Sequence, residues 1–164
     1  MPAPTLTGDR VVLRPVSPQD HAALSRIRAT DEVSRWWGYD DEFLDADCVQ
    51  FAVLVHGRPI GMIQYAEETD PMYRHAGIDL FLDPQTHGQG YGSEAIRLLA
   101  GHLFDDIGHH RLVIDPAAAN AAAIAAYRKA GFRPVGVMRS YERNADRSGW
   151  HDGLLMELLA GELT

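Results

Sequence analysis

The segment His87-Gly88-Gln89-Gly90-Tyr91-Gly92-Ser93 constrains this chain more than any other. It follows an apolar run, Ala76 to Leu82, that stops at Asp83-Pro84, and it opens an apolar-periodic stretch from about Tyr91 to Asp106. A strand that turns directly into a helix leaves several backbone N–H groups unpaired, with the positive helix end aimed at the same point. Such a point binds an anion. Glycine permits close backbone approach and positive φ, so a pyrophosphate can be held there without a basic side chain. Two other glycine motifs fail. A G-x-G-x-x-G dinucleotide fingerprint belongs to an early βαβ unit, whereas these glycines stand at 88, 90 and 92, mid-chain, and a P-loop needs Gly-Lys-Ser/Thr, which is absent. Glycines that serve turn geometry alone would give the same pattern.

The rest of the chain surrounds this loop with strands. Val11 to Val16 reads as a first strand, and Ser17-Pro18-Gln19-Asp20 as a helix entry before the periodic Ala22 to Ala29. Asp31 to Asp47 is acidic and aromatic without a clean period, which predicts loop and short helix. Phe51 to His56, the turn Gly57-Arg58-Pro59 and Ile60 to Ala66 predict a hairpin. Strands follow at Ala76 to Leu82, Leu112 to Asp115, Phe132 to Tyr141 and Leu154 to Leu159, with a helix over Asn120 to Ala130 closed by Gly131. Helices before and between about seven strands predict a mixed α/β sheet, with residues 1–164 as one domain.

Composition narrows the partner. A net charge of −8 argues against nucleic acid, because phosphate binding needs clustered Lys and Arg. The excess is local: Asp31, Glu32, Asp40, Asp41, Glu42, Asp45 and Asp47 oppose only Arg35, and Glu67, Glu68 and Asp70 form a second cluster. Such runs are ordinarily solvated loops, but they would also steer a cation. No run approaches the roughly 20 apolar residues that span a bilayer, and no signal peptide is evident, so a cytoplasmic protein without a membrane partner is expected. A lone Cys48 excludes an internal disulfide and predicts a structural thiol. Metal binding is not expected, since His109-His110 are adjacent and the other histidines are scattered.

The helix after the glycine loop carries the second motif, Asn120-Ala121-Ala122-Ala123-Ile124-Ala125-Ala126-Tyr127-Arg128-Lys129-Ala130-Gly131-Phe132. Asn120 can cap it, and Tyr127 returns to the same face roughly 10 Å along the axis. The alanines between leave a shallow stripe for a long thin group. A packed helix with Tyr127 in the core would look the same.

Together the two motifs resemble the GNAT superfamily of N-acetyltransferases, whose signatures are Arg/Gln-x-x-Gly-x-Gly/Ala and this helix, and the resemblance runs from about Val11 to Leu159. It implies a mostly antiparallel sheet with a splayed cleft for acetyl-CoA, whose pantetheine pairs with the backbone of Leu80, Phe81 and Leu82. The pyrophosphate is expected on the amides of Gly88, Gln89, Gly90, Tyr91, Gly92 and Ser93, the pantetheine arm beside Asn120, and the Tyr127 hydroxyl as proton donor to the departing thiolate. His87 stands where the signature has Arg or Gln, so the backbone amides carry that contact.

Amide formation needs a free amine, and a base must take its proton. Asp79, on the strand facing the cofactor, and Asp115, at the end of its neighbour, are the candidates, although a strand-end Asp is often a turn former. Trp36-Trp37-Gly38, Glu67-Glu68-Thr69-Asp70-Pro71, Gly77-Ile78-Asp79 and Asp115-Pro116 with Asn120 resemble segments of aminoglycoside 6'-N-acetyltransferases. That resemblance implies a polycationic amine contacted by Asp79 and Asp115, with Trp37 and Tyr39 walling its site and Glu68 and Asp70 adding negative charge. A longer tail, Arg139 to Asp152, carries Tyr141, Glu142 and Trp150 and would reshape the acceptor pocket. Leu6 to Arg14 is also similar to ribosomal-protein N-acetyltransferases, which keeps a protein N-terminus open as acceptor, beside a polyamine or a siderophore intermediate. A non-catalytic acyl-CoA-binding module ranks behind these, and a monomer or homodimer is expected.

Overall fold

The computed structural model describes residues 2–38 and 47–164. Its strands are β1 (Leu6–Thr7), β2 (Val11–Pro15), β3 (Val49–Val55), β4 (Arg58–Glu68), β5 (His75–Leu82), β6 (Arg111–Ile114), β7 (Arg133–Arg143) and β8 (Trp150–Leu159). Its helices are α1 (His21–Arg28), α2 (Asp31–Trp37), α3 (Tyr91–Asp105) and α4 (Ala121–Ala130). All eight strands join one sheet in the order β1-β2-β3-β4-β5-β6-β8-β7, antiparallel except at β5–β6. The eighth strand, beyond the seven expected, is β1, two residues that pair with Leu13 and Val12. No helix among the described residues is long and apolar enough to cross a membrane.

Alternation along the strands builds two cores. Val11, Leu13, Phe51, Ile63, Tyr65, Ala76 and Ile78 face one side and meet Ala95, Ile96, Leu99 and Leu103 of α3 and Tyr127 and Ala130 of α4. Met62 and Phe81 face the other side and meet Leu24 and Ile27 of α1 and Val33 of α2. Each fully buried Val, Leu, Ile, Phe or Met side chain among them contributes about 1.5–3 kcal/mol. The entry to α1 is held by Asp20, which accepts from the Ser17 amide at 2.8 Å and from the Arg14 guanidinium at 2.8 and 2.9 Å. The Arg14 contact holds this carboxyl below its ordinary range despite burial.

The β3–β4 turn falls one residue earlier than its glycine and proline suggest. His56 and Gly57 take φ of 52° and 75°, the two positive angles that a two-residue hairpin turn requires. Arg58 and Pro59 are thereby free to begin β4. Gly131 closes α4 at φ 110°, and a Cβ there would stand 2.4 Å from the Glu162 carbonyl. At the far edge, β7 is exposed almost throughout, and Pro134 and two register shifts interrupt its ladder, a usual defence of an edge strand.

Candidate active site

The site forms where the one parallel pair comes apart. β5 and β6 pair at Ala76 with Leu112 and at Gly77 with Val113, and the pairing goes no further. The cause lies after β6: Pro116 and Ala118 turn away to bond β8, through Leu154 N–H to the Pro116 carbonyl and Ala118 N–H to the Asp152 carbonyl, each 2.8 Å. The second half of β5 is left with an open edge.

The alternation of an antiparallel ladder decides what that edge presents. Asp83 N–H donates to the Ile60 carbonyl at 2.7 Å, so Phe81 and Asp79, two and four residues back, also turn their backbone groups to β4. Leu80 and Leu82 therefore turn theirs to the open side. Side chains already meet them there. The indole Nε1 of Trp37 donates to the Leu80 carbonyl at 3.1 Å, Leu80 N–H donates to Asp79 Oδ1 at 3.0 Å, and His87 Nε2 lies 3.0 Å from the Leu82 carbonyl, which requires the proton on that nitrogen. Phe81 packs its ring edge-to-face on Trp37, centroids 5.0 Å apart.

The glycine loop lies past the end of this edge. Gly88 and Gly90 take φ of 78° and 86°, and Gly90 caps α3 without a side-chain partner. Glu94 N–H makes the first helical bond, to the Gly90 carbonyl at 3.1 Å, which leaves the amides of Tyr91, Gly92 and Ser93 at the helix end. Arg10 braces the loop. Its Nη1 donates to the Gln89 carbonyl at 2.8 Å, and its guanidinium lies 4.7 Å over the Tyr91 ring. Glu94 holds Arg10 in turn, accepting from Arg10 N at 2.9 Å, Arg10 Nε at 3.1 Å and Val11 N at 2.6 Å. Burial works to raise the Glu94 carboxyl, but these donors outweigh it and hold it below its ordinary range.

On the α1/α2 face, Asp79 stands opposite Gln64, and both line a cavity of about 170 Å³ with Cys48, Ala66, Gly77, Ile78, Val113, Ile114 and Asp115. Burial and then the charge of Asp115 push the Asp79 carboxyl up to about 8, against the pull of the Leu80 amide. Protein surrounds Asp79 on most sides, yet its side chain stays open to the cleft and water there works against the rise; the direction follows from the neighbouring charge in either case. Tyr127 is 7% exposed, and burial, with Asp79 and Asp115 adding their charge, pushes its phenol up. Asn120 caps α4 through Oδ1 to Ala123 N at 3.3 Å, which leaves its amide NH₂ as a donor.

The structure thus brings Asp79 and Asp115 into one cavity, with Tyr127 close enough to feel both charges. Glu68 and Asp70 do not line it. They tie the β4–β5 turn together, Glu68 Oε1 accepting from Asp70 N and Asp70 Oδ1 from Met72 N, both at 2.9 Å. Trp37 is engaged on the β5 edge and on Phe81, and Tyr39 lies outside the described residues. Arg10, Glu94 and Gln64 were not legible as site residues. Arg10 and Glu94 are 84 positions apart, and neither carries a local motif.

A family model described as the acetyltransferase (GNAT) domain matches residues 10–133. Aminoglycoside N(6')-acetyltransferase type 1 of Klebsiella pneumoniae is 30% identical over 161 residues, covering 82% of this chain and 79% of that protein. Mycobacterium smegmatis RimJ in complex with CoA-disulfide superposes with a TM-score of 0.85 at 24% identity, over 98% of this chain and 89% of its own. AAC(6')-Ib in complex with paromomycin and acetyl-CoA superposes with a TM-score of 0.76 at 25% identity, over 93% and 94%.

Proposed function

Since the chain belongs to the GNAT acetyltransferase family and is an N-acetyltransferase, we propose that its acceptor is a primary amine on a polycationic small molecule, in the first instance the 6'-amine of an aminoglycoside. The observation that carries this is the pairing of Asp79 and Asp115 in one cavity beside Tyr127. Two carboxylates so close favour a cation between them and reject a neutral or anionic group. At about 170 Å³ the cavity is below the roughly 300 Å³ of a typical ligand pocket, so it suits the reacting amine and its ring rather than a whole polycation. The similarity to the Klebsiella enzyme supports the same acceptor.

The residues present fit acetyl-CoA as donor. Tyr91, Gly92 and Ser93 offer amides at the start of a 15-residue helix, a Cβ at Gly88 would enter open space, and Leu82 turns its N–H to the open edge, where the Leu80 and Leu82 carbonyls are held by Trp37 and His87. The group supplies an activated acyl thioester when bound. Asp79 takes the proton from the incoming ammonium, and the arriving positive charge favours its ionised form. Asp115 remains as the anionic partner that holds the cation. Tyr127 keeps its proton at any working pH and gives it to the departing thiolate. In the same reading the protein works in the cytoplasm, where its thiol Cys48 stays reduced.

Thiol-detected CoA release tests the acceptor, at fixed acetyl-CoA, against aminoglycosides with and without a 6'-amine, polyamines and N-terminal peptides. Turnover confined to 6'-amino compounds is expected. Turnover on peptides alone would remove the acceptor assignment and leave the acetyltransferase chemistry intact.

A further inference from the structure

The β7–β8 hairpin contributes a residue to the acceptor site that neither motif contains. Tyr141 Oη donates to Asp115 Oδ2 at 2.5 Å. Three local features aim it there. Between the pairs Met138–Gly153 and Glu142–His151, Arg139, Ser140 and Tyr141 oppose Asp152 alone, a bulge that rotates the strand. Ser140 takes the left-handed φ of 46°, and the Asp152 carboxylate fastens it by accepting its N–H at 2.8 Å. Gly153 supplies the seat for the ring, because a Cβ there would stand 2.8 Å from Tyr141 Cδ2. A bulge, a strained backbone angle and a glycine all serve one side chain that is itself 45% exposed. Core packing does not explain them.

Resting on the acceptor assignment above, we infer that Tyr141 is a positioning and specificity residue: it occupies one oxygen of Asp115 and holds the other toward the cleft as the anchor for the cationic acceptor. The bond divides the labour between the two carboxylates. Asp115 is held in place by the phenol, and Asp79, whose donor among the described residues is the Leu80 amide alone, is left to exchange the proton. The same contact, followed by burial and the charges of Asp115, Glu142 and Asp79, pushes the Tyr141 phenol up to about 12, so it remains a donor throughout the working range.

The test is a double-mutant cycle with two readouts. In steady-state kinetics, Tyr141→Phe is expected to raise KM for the polycationic acceptor roughly tenfold while kcat and the KM for acetyl-CoA stay near wild type, the signature of lost uniform binding. In an Asp115→Asn background the same substitution should change KM less than twofold. An equal effect in both backgrounds would overturn the inference, since Tyr141 would not then act through Asp115. The second readout needs no substrate. Ultraviolet titration upward from pH 10, the ordinary tyrosine range, should lose no tyrosinate signal near pH 10 when Tyr141→Phe is made in the wild type, whereas in Asp115→Asn the Tyr141 signal should appear at lower pH, although burial, Glu142 and Asp79 still hold it up. Loss of signal near pH 10 in the wild type would refute the pairing. Absence of wild-type turnover on polycationic amines would instead remove the acceptor reading, and with it the specificity role, whatever the titration shows. Gly153→Ala, which displaces the ring, should reproduce the kinetic effect of Tyr141→Phe.

Discussion

Glu94→Gln offers a quantitative test of how the glycine loop is held. The carboxylate takes three donors, Arg10 N, Arg10 Nε and Val11 N, at 2.9, 3.1 and 2.6 Å, and ties the start of β2 to the first turn of α3. Glutamine keeps one oxygen for the two amides but sets an NH₂ against the guanidinium. Each amide bond falls from the charged to the neutral class, a loss of about 1 kcal/mol apiece. The ion pair with the half-exposed Arg10 adds about 0–1 kcal/mol, and the negative charge at the helix N-terminus about 0.3–1 kcal/mol. The sum is about 2–4 kcal/mol, or a Tm lower by roughly 4–16 °C for a chain of this size. The pH dependence has a definite sign. Glu94 is held below its ordinary value, so its stabilisation is complete above the unfolded pKa of about 4.3 and is lost as pH falls through the lower folded value. Calorimetric scans of both proteins from neutral to acid pH should show a gap at neutrality that closes in acid. Release of Arg10 from the loop should also raise the KM for acetyl-CoA severalfold. A neutral-pH gap of less than about 1 °C, or one that persists in acid, would refute the reasoning.

Four further outcomes follow from the same geometry. Tyr127→Phe should lower kcat by about 100-fold or more without changing acetyl-CoA affinity by calorimetry, because only the proton donor is removed. In the wild type, kcat/KM for the amine should fall up to tenfold per unit as pH drops below the Asp79 value of about 8, and Asp79→Asn should abolish that limb. Because this folded-state pKa is raised, Asp79 makes the fold progressively less stable as pH rises from the ordinary carboxylate range towards 8, so Asp79→Asn should melt higher than wild type at neutral pH by scanning calorimetry. Gly90→Ala places a side chain at φ 86° and 3.1 Å from the Arg10 guanidinium, and it should raise the KM for acetyl-CoA severalfold with kcat nearly unchanged.

What the sequence determined by itself was whatever depends on near neighbours. Short apolar runs bounded by turn residues marked β2 to β5, Asn120 and Gly131 bounded α4, and the Gly88 to Ser93 run marked the turn into α3, because strands, caps and helix ends are set by residues a few positions apart. Two motifs in order were enough to indicate the family. The composition of the site was another matter. Glu68 and Asp70, acidic in sequence, are absorbed by their own turn, since an Asp or Glu near a hairpin end bonds the nearest backbone amide before it can serve a distant cleft. Arg10 meets Glu94 across 84 residues and Tyr141 meets Asp115 across 26, and no local pattern announces either pair. Only the sheet order, with β8 inserted between β6 and β7, brings Asp115 and the hairpin together. The splay of β5 from β6 likewise depends on how the chain after Asp115 bonds to β8. Long-range pairing creates the cleft and raises Asp79, because both require that charges and strand ends from separate parts of the chain be packed side by side.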